Sequence, residues 1–87
     1  MKYEALYHPG IQKDLKKLKN STVERFFQIV NTKLVTNPYT GKKLKGKYLN
    51  LWRIKAVNYR IIYEIDNKKL KVFILKFGHR QNIYNLL

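Results

Sequence analysis

Apolar and polar residues change their spacing several times along the 87-residue chain, and each change marks a predicted element. In Lys2-Tyr3-Glu4-Ala5-Leu6-Tyr7, alternation puts Tyr3, Ala5 and Tyr7 on one side, which predicts a first strand. His8-Pro9-Gly10 ends it, with His8 as a turn residue. Ile11, Leu15 and Leu18 then recur at spacings of four and three among lysines, the stripe of a short amphipathic helix that accepts Pro9 at its first position and runs through Lys19. Asn20-Ser21 interrupt the stripe, and Ser21-Thr22-Val23-Glu24 has the spacing of a capping box that starts a second helix. Its apolar face, Val23, Phe26, Phe27, Val30 and Leu34, continues to Asn37-Pro38, where proline disfavours helix in the residue before it. The two helices should form a hairpin.

Residues 37–50 read as a connection of about 14 residues, long enough to be functional in a compact domain. Leu44, Tyr48 and Leu49 would pin it while Lys42, Lys43, Lys45 and Lys47 face water. Three strands follow at 51–57, 59–66 and 69–77, turning near Asn58 and at Asp66-Asn67-Lys68, an antiparallel meander that Gly78 should stop. In the remaining tail, Ile83, Leu86 and Leu87 are spaced to dock as one helical turn. The predicted order is β-α-α-β-β-β-tail helix. The fold class is α+β, an N-terminal strand and helical hairpin packed on a small, mainly antiparallel four-stranded sheet, with residues 1–87 as one domain. Helices on one sheet face leave the other for function.

Charge changes this picture most. Nineteen Lys and Arg against five Asp and Glu give a formal net charge of +14, yet 45% of the residues are hydrophobic, including seven Tyr, four Phe and one Trp. A disordered basic tail lacks such aromatic content, so the charge belongs to a folded surface. At this length roughly 60–65% of the unfolded chain's surface can be buried, enough for one modest core. Cysteine is absent, which removes disulfides and thiol chemistry and fits a reducing, cytoplasmic setting. No apolar run approaches the ~18 residues of a membrane span. Two His without Cys, and five scattered carboxylates, offer no metal cluster, and four glycines form no nucleotide-binding loop, so neither metal nor cofactor is expected. The excess charge calls for a polyanion, nucleic acid or an acidic protein.

Strict alternation in Trp52-Arg53-Ile54-Lys55-Ala56 sends Trp52, Ile54 and Ala56 toward the helices and Arg53 and Lys55 to the open face. Arg60, just past the next turn, is close enough to join them. Only four arginines occur, Arg25, Arg53, Arg60 and Arg80, and three of them fall in the strands and tail. A guanidinium fork grips phosphate through two parallel hydrogen bonds, so this distribution favours a phosphate site over a merely solvated face. Trp52 and Tyr63 are expected in the core.

The ordered set Lys43-Leu44-Lys45-Gly46, Trp52-Arg53-Ile54-Lys55, Asn58-Tyr59-Arg60-Ile61-Ile62-Tyr63 and Gly78-His79-Arg80, with Tyr84 beyond, resembles the RelE branch of the RelE/ParE toxin superfamily over essentially the whole chain. The resemblance implies a toxin of a type II toxin–antitoxin system: a metal-independent, ribosome-dependent endoribonuclease that cuts mRNA in the A site and stops translation. The ribose 2′-oxygen attacks the adjacent phosphate, leaving a 2′,3′-cyclic phosphate and a 5′-hydroxyl. It further implies an antitoxin partner, for which the toxin's charge predicts an acidic, partly disordered segment. Carried over by position, the site comprises Arg53, Lys55, Arg60, Arg80 and Tyr84. Lysine is frequent in the family where Arg53 stands. Arginine keeps its proton, so Arg53 would stabilise charge only. A lysine among cations gives up its proton more readily, which makes Lys55, alone or with Tyr84, the expected base, while Arg80 would hold the leaving oxygen or the phosphorane.

His79 is a further catalytic candidate, since imidazole both takes and gives protons, although its neighbour Arg80 matches the family better and adjacent residues of extended chain diverge. Lys42, Lys43, Lys45 and Lys47 would bind ribosomal RNA through phosphate contacts, or serve solubility alone. Two other functions fit the same fold: a ParE-like inhibitor of DNA gyrase, and an RNA-binding module without catalysis.

Overall fold

The computed structural model describes residues 2–46, 50–56 and 58–79. Five strands form one sheet in the order β1-β5-β4-β3-β2, with β1 Glu4–Tyr7, β2 Lys42–Lys43, β3 Trp52–Ala56, β4 Tyr59–Asp66 and β5 Lys71–His79. Strand β1 runs parallel to β5, and every other pairing is antiparallel. The α+β class and the meander are as expected, but the sheet has five strands where four were predicted. The additional one lies inside the expected loop: Pro38–Thr40 make a turn of 3₁₀ helix, after which Lys42 and Lys43 pair with Arg53 and Trp52. Two residues are too few to display a period, which is why the pattern hid this strand.

Helix α1 (Ile11–Lys16) and helix α2 (Asn20–Ile29) form the hairpin. His8 is the turn residue expected, its Nδ1 accepting the Gly10 N–H at 3.1 Å. The predicted capping box does not form. Helix α2 begins two residues earlier than that box requires, with extended Lys19 as its N-cap and no side-chain cap, so Ser21 is already inside the first turn. Beyond Ile29 the chain continues as a turn of π-helix, Val30–Leu34, with Val35 N–H bonded to Val30 C=O. The widened turn lets adjacent Ile29 and Val30, and Leu34 after them, all reach the core, whereas Phe27 of the predicted stripe stays partly exposed.

The core under the helices joins Ile11, Phe26, Ile29, Val30 and Leu34 to Ala56, Ile61, Tyr63, Val72, Ile74 and Phe77 from the sheet. Each such large side chain contributes about 1.5–3 kcal/mol by burial. Ile74 and Phe77 are three residues apart, an odd spacing that a regular strand splits between two faces. A β-bulge solves this: Ile62 pairs with Lys76 but Tyr63 with Ile74, leaving Leu75 as the extra residue. Just past the bulge, Asp14 of α1 accepts the Phe77 N–H and lies 3.6 Å from the Lys76 ammonium, tying helix to sheet.

Strand β5 continues through Gly78 to His79, because Tyr59 and Arg60 at the start of β4 supply ladder partners for both. Glycine there did not act as the expected stop. At the other end of this hairpin, Asp66 Oδ1 accepts the Lys68 and Lys69 N–H groups and shapes the turn. The predicted tail helix, with Ile83, Leu86 and Leu87, lies outside the described residues.

Candidate nucleic-acid interface

Pairing in β2, β3 and β4 decides which cations meet. Lys42 stands opposite Arg53, and Lys55 stands opposite Arg60, while Arg53 faces Ile62. Directly paired residues of antiparallel strands project to the same side with Cβ atoms about 5 Å apart, so Lys42, Arg53, Lys55 and Arg60 share the face away from the helices. They line one cleft of about 380 Å³ together with Thr40, Gly41 and Ile54. Four of its seven lining residues are cationic and none is acidic.

The four cations are not equivalent. Lys55 is exposed and Arg53 half-buried, whereas Arg60 retains 5% of its surface, as the buried charged side chain among the described residues. Its ladder partner on β5 is Gly78, which adds no side chain above the guanidinium. Ile62, next on that face, is fully buried as well, so the face has a firm apolar floor beside the charge. The wall of the cleft is built with equal economy of space. A Cβ on Gly41 would overlap the Tyr63 hydroxyl and the Arg53 carbonyl oxygen, so only glycine lets this turn approach β3 closely enough to close the cleft.

Other expected site residues part company with this group. Lys43 is the neighbour of Lys42 but pairs with Trp52 and lines a separate recess of about 530 Å³ with Tyr39, Trp52, Glu64 and Asp66. Lys45 is exposed in the connection, and Lys47 lies outside the described residues. His79 pairs with Tyr59, one step from the Arg60–Gly78 pair and therefore on the opposite face, where its ring meets the Tyr59 ring edge-on at 5.0 Å. The geometry takes His79 out of the cleft. Arg80 and Tyr84 lie outside the described residues. Trp52 packs against the core and Tyr63 is fully buried, as expected.

Sequence reasoning missed three contributors. Thr40 and Gly41 fall within the predicted 37–50 connection, and Lys42 is grouped there with the RNA-facing lysines rather than with Arg53. The Pro38 and Gly41 pair that brackets the turn was the available signal.

The α+β fold, with a cationic cleft at β2–β4, matches that of RelE toxins. The description "ParE toxin of type II toxin–antitoxin system, parDE" fits a family profile that matches residues 5–84, and the chain belongs to that family, within the RelE/ParE superfamily. A curated protein of Methanocaldococcus jannaschii, provisionally assigned as toxin RelE1, is 28% identical over 88 residues, covering 97% of each chain. Among solved structures, the toxin–antitoxin complex RelBE2 of Mycobacterium tuberculosis aligns with a TM-score of 0.86 at 25% identity, over 92% of this chain and 100% of that one. The RelB–RelE antitoxin–toxin complex of Methanococcus jannaschii aligns with a TM-score of 0.71 at 28% identity, over 94% and 98%.

Proposed function

We propose that this toxin is a metal-independent endoribonuclease that cuts mRNA in the ribosomal A site and thereby stops translation. The observation that carries the reading is the cleft in which Lys42, Arg53, Lys55 and Arg60 converge, with no acidic side chain among the described residues that line it. A protein that only blocks another protein needs no such cage for an anion.

Cleavage proceeds by attack of the ribose 2′-oxygen on the adjacent phosphorus. The 2′-hydroxyl loses its proton, the P–O5′ bond breaks as the new P–O2′ bond forms, and the 5′-oxygen leaves with a proton. Charge grows on the phosphorane oxygens in the transition state, where fixed donors are worth most. Arg60, buried in the floor, and Arg53 beside it supply donors that keep their protons throughout. Lys55, on the exposed rim opposite Arg60, is the group in the described cleft suited to take the 2′ proton. Arg80 and Tyr84 complete the proposal from beyond the described residues, Arg80 on the leaving oxygen and Tyr84 as a partner of Lys55 or a stacking surface for a base.

The ribosome supplies what 87 residues do not, a bound and extended mRNA. Exposed Lys13, Lys16, Lys17 and Lys19 on the helical hairpin, with Lys43 and Lys45, would hold ribosomal RNA by phosphate contacts. The cognate antitoxin is proposed to be an acidic segment, since solved relatives are toxins bound to RelB and this surface carries +14. Purified protein added to ribosomes programmed with a defined mRNA should create new 5′-hydroxyl ends at the A-site codon. Intact mRNA together with accumulation of relaxed DNA in a parallel gyrase assay would assign the chain to gyrase inhibition. Neither effect would leave an RNA-binding module.

A further inference from the structure

Tyr63 is fully buried, yet its hydroxyl is engaged at the edge of the core, with the turn that follows the helices. It donates to the Pro38 carbonyl at 2.7 Å, and the Gly41 N–H donates back to it. One oxygen therefore clasps both ends of the turn Pro38-Tyr39-Thr40-Gly41. That turn delivers Lys42 to its place opposite Arg53, and Thr40, Gly41 and Lys42 form the side of the cleft that no long strand supports. Strand β2 is only two residues long, so its own ladder holds it weakly. Within the turn, Asn37 adds bonds to Tyr39 and Thr40, but these are local and do not connect the turn to the sheet.

We propose that Tyr63 is a positioning residue for the cleft: its hydroxyl, through Pro38 and Gly41, sets the place of Lys42 against the substrate phosphate. The inference rests on the reading of the cleft as a phosphate site. A phenylalanine would fill the same core volume, so the hydroxyl is what distinguishes positioning from packing. Without it, the Pro38 carbonyl and the Gly41 N–H lose a shared buried partner, and the turn moves toward water to satisfy them.

The test is a double-mutant cycle between Tyr63→Phe and Lys42→Ala, read by single-turnover cleavage on programmed ribosomes and by amide hydrogen exchange at Gly41. Tyr63→Phe should keep the far-ultraviolet spectrum of the native fold, speed Gly41 exchange about 10-fold or more, and slow cleavage by about 10- to 10²-fold. Lys42→Ala should slow cleavage similarly while leaving Gly41 exchange unchanged. The double variant should be no slower than the slower single, because the hydroxyl acts through Lys42. Gly41→Ala, which collides with the same hydroxyl from the opposite side, should reproduce this non-additivity if Tyr63→Phe fails to fold. Wild-type cleavage in Tyr63→Phe, or losses that multiply in the double variant, would overturn the proposal. If wild-type protein leaves mRNA intact, the ribonuclease reading fails by itself. The cycle is then read by titrating inorganic phosphate and following the Arg53 resonance, where independent losses, or no phosphate binding at all, would equally overturn it.

Discussion

The two faces of the sheet solve different problems with the same strands. Toward the helices, β3, β4 and β5 present Ala56, Ile61, Ile74 and Phe77, whose value lies in close contact and whose identities are exchangeable for other apolar residues of similar volume, beside Tyr63, whose hydroxyl reaches on to the Pro38 turn. Away from the helices, one register step along, the strands present Arg53, Lys55 and Arg60, whose value lies in the positive charge they gather at one place. Period 2 lets one backbone carry both tasks. The contrast makes stability and activity separable: apart from the Tyr63 hydroxyl, changes on the helix face should unfold the chain, and changes to the cleft cations should disarm it with the fold intact.

The sharpest break of that contrast is expected from Arg60→Ala, which should lower single-turnover cleavage by at least ~10²-fold through lost stabilisation of developing charge. Phe26→Ala, on the opposite face, should cost about 3–5 kcal/mol of folding free energy in urea titrations, with cleavage per folded molecule retained. Gly41→Ala spans both regions, since it crowds the Tyr63 hydroxyl and the Arg53 carbonyl. A loss of about 1–3 kcal/mol together with reduced cleavage is expected. Lys42→Ala should flatten the logarithmic salt dependence of RNA binding by about one unit, as expected for one lost phosphate contact. The smallest effect is expected from His79→Ala, with cleavage within about 3-fold of wild type because the ring packs edge-on against Tyr59, away from the cleft.

Tyr63 adds a pH signature. Burial pushes its hydroxyl from 10.0 up to about 12, with the Gly41 hydrogen bond opposing part of that rise. A raised acid keeps the folded state favoured below the unfolded value, so its contribution is fully present up to pH 10 and is lost between pH 10 and about 12. In Tyr63→Phe that segment of the loss should vanish from the pH dependence of stability, and one late-titrating tyrosine should disappear from the absorbance at 295 nm.

Long periodic segments were legible because burial on one face dictates their pattern. Tyr59–Asp66 and the alternation Trp52–Ala56 are placed almost as the spacing predicts, and with them Arg53, Lys55 and Arg60. The rest depended on partners remote in sequence. Strand β2 exists because β3 offers it an edge, and the early start of α2 shows that a favourable capping pattern yields when Lys19 can already turn the chain. Gly78 reads as a breaker in isolation and as a ladder residue once Arg60 stands opposite. Lys42 and Lys43 are chemically identical in sequence, and only their register with Arg53 and Trp52 separates the cleft lysine from the one behind it.

The central claim, that the cleft cations act together on one phosphodiester, is tested most directly by nuclear magnetic resonance titration with a short ribo-oligonucleotide made uncleavable by a single 2′-deoxy substitution. The account predicts that the side-chain resonances of Arg53, Lys55 and Arg60 shift along one saturation curve, and that Arg60→Ala abolishes the response at the other two. Separate curves for the three residues, or a response confined to the helical lysines, would contradict it.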